Sequence, residues 1–289
     1  MAIVRQVVKR VKLNSLKDEK PSRRARVDPP SDFKLPDEIS EPSEKLGDYT
    51  MMIFGEKKIG KTTLAAEFPD AMFLFFEPGG RGLRVYGSAI DTWDDARAAL
   101  KLLRKNKRFS TIVVDTADLA YKLCDTWVCA DMGIKDPGDA PYGLGWRNVR
   151  KEFERWITGL AHCGKGLIII SHASEQEVEM ASGESVSRLS PTMAKQAREI
   201  LDGMVDIWAY YGYHGRRRIL VIEGDERLAA GHRLTERFRT TDGERLRSID
   251  MGKSPKEGYT NVLAAFNNAY VPPAEPVAKK KKHKVRLGK

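Results

Sequence analysis

Long apolar runs are missing from this sequence. The apolar stretches are short, "AMFLFF" at 71–76, "TIVV" at 111–114 and "GLIII" at 166–170, well under the roughly 20 residues that a membrane-crossing helix needs. The first twenty residues are broken by charge every few positions and carry no apolar core of the kind a secretory leader has. Cysteine is scarce: Cys124, Cys129 and Cys163 stand at spacings that fit neither a metal motif nor a disulfide framework. Together these absences predict a cytoplasmic protein with reduced thiols and no membrane partner.

Acidic residues are absent from one place in particular. The last eleven residues, "KKKKHKVRLGK", hold seven Lys or Arg and no acid, and the first 34 hold ten basic residues against four acidic ones. The whole chain carries a net charge of +10, so the body between these ends is slightly acidic. Two basic arms on a near-neutral body predict a polyanionic partner. Nucleic acid fits best and an acidic protein is the alternative. The tail at 279–289 has no aromatic residue and so no stacking platform for bases. It is expected to act as an electrostatic tether, together with the N-terminal arm, on single-stranded DNA.

What is present reads as an α/β domain. Residues 1–46 mix charge with Pro21, Pro29, Pro30, Pro36 and Pro42, the composition of an extended arm. From "YTMMIFG" onward, short apolar strands alternate with amphipathic helical stretches, the pattern of a mostly parallel central sheet flanked by helices. Strands are predicted at about 50–54, 71–76, 110–114 and 166–171, and helices at about 61–67, 92–106, 117–132, 145–162 and 192–203. After residue 205, "DIWAYYGYHG", "RRRILVIEG" and "RLRSIDMG" predict antiparallel strands. The domain is placed at 47–270, and 271–289 is a linker and basic tail.

Chemistry is concentrated in "GEKKIGKTT", comprising Gly55, Glu56, Lys57, Lys58, Ile59, Gly60, Lys61, Thr62 and Thr63. It matches the P-loop pattern and lies between a predicted strand and a predicted helix, the context in which that pattern is informative. The glycines let successive backbone N–H groups face one point, and the helix start adds partial positive charge. Lys61 is then placed to reach the β- and γ-phosphates of ATP, and Thr62 to ligate Mg²⁺. Lys57 and Lys58 fall at the crown of the loop. In "FSTIVVDTAD", Asp115 directly follows a buried strand and is the candidate second metal anchor, while Asp118 reads as a cap of the next helix. Glu77, ending "MFLFFE", is the candidate base for an attacking water.

Further absences narrow the class. Thr116, not Glu, follows Asp115; no Asp-x-x-Gly follows and no Asn-Lys-x-Asp occurs. These exclude the usual "DE" pair and the GTPase signatures.

Three stretches, "GEKKIGKTTLAAEFPDAMFLFFEPGG", "TIVVDTADLAYKLC" and "GLIIISHASEQ", resemble the phage-encoded RecA-like ATPases, including the Sak-type single-strand annealing proteins. The resemblance spans about 47–270. It implies a RecA-like P-loop NTPase fold, ATP hydrolysis in phage DNA recombination or annealing, and residence in the host cytoplasm. It also implies Glu77 as catalytic glutamate, Ser171 or His172 as a γ-phosphate sensor, and assembly into a ring or filament. A neighbour's cation, with Arg216, Arg217, Arg227 and Arg233 as candidates, would complete the site. The DNA-contacting segment expected is 177–198, a hairpin and helix carrying Arg188, Lys195 and Arg198. The competing expectations are an ATP-dependent loader for a replication helicase or single-strand-binding protein, and, last, a small-molecule kinase.

Overall fold

A computed structural model describes residues 35–180 and 182–273; the basic tail and most of the N-terminal arm lie outside them. Residues 35–42 form no regular element, and a compact unit begins at Ser43. In chain order its elements are β1 (Thr50–Gly55), α1 (Lys61–Ala65), β2 (Ala71–Phe75), β3 (Tyr86–Ala89), α2 (Trp93–Lys105), β4 (Thr111–Asp115), α3 (Ala117–Met132), α4 (Leu144–Ala161), β5 (Gly166–Glu179) and β6 (Ser185–Pro191). There follow α5 (Lys195–Met204), β7 (Ile207–His214), β8 (Arg217–Val221), β9 (Gly231–His232), β10 (Ser248–Asp250) and α6 (Pro255–Phe266).

The sheet runs β10-β8-β7-β1-β5-β4-β2-β3. From β7 to β3 all neighbours are parallel, and β8 and β10 add an antiparallel edge. The architecture is thus an α/β sheet of the P-loop NTPase kind, mostly parallel with antiparallel strands toward the C-terminus.

Strand alternation explains the near-continuous apolar runs, because both faces of the sheet are covered. Met52, Ile112, Val114, Leu167 and Ile169 point to one face, where they meet Trp93 of α2, Tyr121 of α3 and Phe153 and Trp156 of α4. Met51, Ile53, Val113, Ile168 and Ile170 point to the other, against Leu64, Phe68, Phe238 and Phe266. Trp156 is satisfied as well as buried: its indole N–H donates to the Ala96 carbonyl at 2.8 Å. Truncating such a side chain costs about 3–5 kcal/mol. Helix α2 starts on a capping box, Thr92 with Asp95, and α3 stops at left-handed Gly133. Among the described residues no helix is long and apolar enough to cross a membrane.

Strand β3 lies outside every expected strand, and two elements beside the phosphate loop differ in extent from the sequence expectation. Strand β5 continues eight residues past Ser171 and pairs with β6 as a two-stranded ribbon, Ala173 opposite Pro191 through Glu179 opposite Ser185. Its first six residues are buried and its last eight are not, so the outer half lacks an apolar signal. Helix α1 is shorter than expected. Its α-turns give way after Ala65 to tighter bonds, Glu67 N to Leu64 O and Phe68 N to Ala65 O, ahead of Pro69.

Candidate active site

The carboxyl ends of β1, β2, β4 and β5 share one edge of the sheet, the usual position for a ligand in parallel α/β proteins. Strand β5 lies between β1 and β4, which sets Gly55 opposite His172 and Asp115 opposite Ile170. Phe75, two residues before Glu77, stands opposite Asp115 on the far side.

The 55–63 loop has the shape its glycines require. A Cβ on Gly55 would lie 2.0 Å from the Tyr211 carbonyl oxygen of neighbouring β7, and Gly60 sits at φ +116°, a region that side-chain-bearing residues avoid. Lys58 also takes a positive φ, 64°. The backbone N–H groups of Lys57, Lys58, Ile59 and Gly60 donate to no other backbone or side-chain group among the described residues. Not every loop side chain faces the same way. Ile59 is buried in the core beneath, and the Thr63 hydroxyl donates to the Gly60 carbonyl at 2.7 Å, closing the loop on itself. Lys57 and Lys58 are exposed at the crown.

Lys61 is buried at 5% exposure, yet its ammonium is held by two carbonyls, Gly55 O at 2.9 Å and Glu56 O at 2.8 Å. Burial pulls its pKa below the ordinary value, against the opposing fields of Asp115, Asp118, Glu77 and Glu56. The Thr62 hydroxyl donates to Asp115 Oδ2 at 2.8 Å. Asp115 is 3% exposed, and burial raises its pKa to about 6 although the Thr62 bond and Lys61 pull the other way. A carboxylate with so little water around it favours a cation.

His172 stands between Lys61 and Glu77: its Nδ1 is 3.5 Å from Lys61 Nζ, and its Nε2 is 3.7 Å from Glu77 Oε2. Ser171, the other sensor candidate, is buried and turned away, its hydroxyl donating to Asp118 Oδ1 at 3.0 Å. Asp118 also accepts from the His172 backbone N–H at 3.4 Å and from the Thr192 hydroxyl. It is therefore not the helix cap expected from sequence. Thr116 occupies the cap position of α3, and Asp118 instead ties α3 to the end of β5 and the segment before α5. Asp118 and Thr192 went unrecognised because nothing local marks a carboxylate whose partners are 53 to 74 residues away.

Beside these groups opens a cavity of about 550 Å³, lined among others by Glu56, Lys57, Glu77, Thr116, Asp118 and His172. The Thr116 hydroxyl is buried without a partner on its wall. Free loop N–H groups, a fixed ammonium and an unpartnered hydroxyl suit phosphate oxygens. The Thr62 and Asp115 oxygens suit Mg²⁺, which takes one or two protein oxygens and otherwise phosphates and water. The candidate arginines are differently placed. Arg217 pairs with Asp250 at 3.4 Å and Arg233 with Asp206 at 3.9 Å, whereas Arg216 and Arg227 are exposed and unpaired among the described residues.

Comparison with known proteins gives one family. A family model described as an AAA domain matches residues 48–234, from just before β1 to just past β9. No curated protein matches the chain.

Proposed function

Because the chain belongs to the AAA domain family, we propose that it is a RecA-like ATPase that binds and hydrolyses ATP and acts on single-stranded DNA in phage recombination or strand annealing. The observation that supports this most is the line Lys61–His172–Glu77 beside the Thr62–Asp115 pair.

The roles follow from the geometry. The loop N–H groups from Lys57 to Gly60 receive phosphate oxygens. Lys61, held in place by Gly55 O and Glu56 O, presents its charge to the β- and γ-phosphates without reorganising, the property that makes electrostatic stabilisation effective. Thr62 and Asp115 would hold Mg²⁺, which when bound neutralises charge on the β- and γ-oxygens. Glu77 orients a water on the γ-phosphate and takes its proton as the water oxygen bonds to phosphorus and the bond to the β-phosphate oxygen breaks. His172, touching both Lys61 and Glu77, reports whether the γ-phosphate is present. The basic tail at 279–289 and the N-terminal arm supply sequence-independent attraction for DNA. Copies of the chain assemble into a ring or filament, with exposed Arg216 or Arg227 offered to a neighbour's site.

Phosphate release from ATP, measured with and without single-stranded DNA, tests this reading. Hydrolysis that needs Mg²⁺ and is lost in Lys61→Ala is the expected result; no ATP binding by the natural protein, or binding undiminished in Lys61→Ala, overturns it.

A further inference from the structure

The side chains gathered for a γ-phosphate all stand to one side of β1. Asp115 ends β4, His172 lies on β5 and Glu77 follows β2, in the sheet order β7-β1-β5-β4-β2. A triphosphate with its γ end among them and its β-phosphate at Lys61 directs its nucleoside to the other side of β1, toward β7. That placement rests on the nucleotide-binding reading of the phosphate loop given above.

Strand β7 offers an aromatic side chain at this point. It runs parallel to β1, with Tyr211 opposite Gly55, so its last residues pass beyond the base of the loop on the ligand side. Ile207, Ala209 and Tyr211 face the core that also holds Leu64 and Phe266. The strand period puts Tyr213 on the same face, about 7 Å farther along. Tyr211 is buried, and a Cβ on Gly60 would lie 3.6 Å from its hydroxyl, so its ring backs the point where the loop enters α1. Tyr213, next in the row, is 52% exposed.

The ring of Tyr213 is held at its tip and open on its faces. A two-residue turn, Gly215 and Arg216, returns the chain along β8 and sets Arg218 directly opposite Tyr213. The Tyr213 hydroxyl, and Tyr211 after it, favour the charged form of Arg218 and raise its pKa against the effect of burial. Among the described residues Arg218 has no carboxylate partner, which leaves it to the two tyrosines. The Met251 N–H donates to the Arg218 carbonyl at 2.9 Å and secures β8 at this level. Among the described residues no other aromatic ring pairs with Tyr213 and no cation lies over it. A ring already fixed in orientation loses little freedom when a flat ligand settles on it.

We propose that Tyr213 stacks against the base of the bound nucleoside triphosphate, and that Arg218 is the positioning residue that holds the ring. A tyrosine face presents area but no pattern of donors and acceptors, so it responds to the size of a base and not to its edge. The site therefore accepts adenine and guanine triphosphates alike. Pyrimidine triphosphates, whose single rings cover less of the platform, bind more weakly.

Calorimetry on the full chain with Mg²⁺ tests this, using non-hydrolysable analogues of ATP, GTP and UTP and inorganic tripolyphosphate, which can fill the loop without a base. In the natural protein the two purine analogues are expected within about threefold of each other, and the UTP analogue about fivefold weaker. Tyr213→Ala is expected to weaken both purine analogues about tenfold, to abolish the preference over UTP and to leave tripolyphosphate binding as it was. Tyr213→Phe keeps the ring and should keep the purine preference, whereas Arg218→Met should reduce it part of the way. Purine binding undiminished in Tyr213→Ala overturns the proposal and leaves the phosphate-loop reading standing. Equal losses of purine and tripolyphosphate binding in that variant also overturn it, since the change would then have acted on the loop. A natural protein that binds neither the purine analogues nor tripolyphosphate overturns both.

Discussion

Lys61 and His172 meet at 3.5 Å, ammonium to Nδ1, although 111 residues separate them. An ammonium has only protons to offer, so Nδ1 accepts and the imidazole proton sits on Nε2, directed at the Glu77 carboxylate. The contact fixes both the orientation and the tautomer of the histidine before any substrate arrives. A cation, an imidazole and a carboxylate thus form one connected line.

Glu77 is the only member of that line assigned a proton transfer. Glu77→Gln keeps its size and its capacity to accept a bond from His172 but cannot take a proton from water. Hydrolysis is expected to fall about 10²- to 10⁴-fold, with ATP affinity within a few-fold of the natural protein. Single-turnover phosphate release together with equilibrium nucleotide binding would check this, and equal losses in both would place Glu77 in binding instead.

Asp115 costs the ligand-free protein stability. Its pKa is raised by burial from 3.8 to about 6, so between those values the folded state holds more proton than the unfolded one. Stability from this group therefore falls as pH rises through that window and stays low above it. Asp115→Asn keeps an acceptor for Thr62 and removes the charge. In chelator, the variant is expected to be more stable by about 1–3 kcal/mol near pH 8 and equal to the natural protein near pH 4. Thermal melts at both pH values read the difference, and the same variant should lose the Mg²⁺ requirement together with activity.

Asp118 acts through the groups it holds. Asp118→Ala leaves Thr192 and the His172 N–H without this acceptor and Ser171 with only the His172 carbonyl, a loss of about 1–3 kcal/mol in stability. Because the end of β5 is then free to shift, the turnover rate is expected to drop more than nucleotide affinity does. Asp118→Asn, which retains an acceptor, should restore part of the rate. An Asp118→Ala protein that is destabilised but turns over normally would reduce the residue to a structural tie.

The tail at 279–289 makes a separate prediction. Removing its seven cations should weaken single-stranded DNA binding and lower the slope of log affinity against log salt by up to about 5. Titrations at several salt concentrations measure it, and an unchanged slope would remove the tail from the DNA interface.

The parts of this protein legible in sequence are those with local signatures. The 55–63 loop announces itself by glycine spacing between a strand and a helix, and Asp115 by its place after an unbroken buried strand. Helix α3, at 117–132, matches its expected limits because an apolar stripe and a terminal glycine bound it. Strand β3 has no sequence signature, because Tyr86–Ala89 is exposed along its whole length and has no alternation to read. The outer half of β5 is silent for a related reason, since a ribbon whose residues are not buried needs no apolar side. A cavity of about 750 Å³ lined in part by Arg188, Trp208 and His232 has no sequence signature, because only strand pairing brings these residues together.

Strand β5 is continuous for 14 residues, about 45 Å from end to end, and passes from the central sheet into the ribbon with β6. Its inner part is fixed between β1 and β4, it carries His172 at the phosphate end, and its outer part forms one side of the ribbon whose other side bears Arg188. The phosphate end and the ribbon thus share one unbroken strand. Thermodynamic linkage makes the traffic two-way: an occupant of the ribbon that binds more tightly when ATP is present must, by the same factor, slow the escape of ATP or speed its capture.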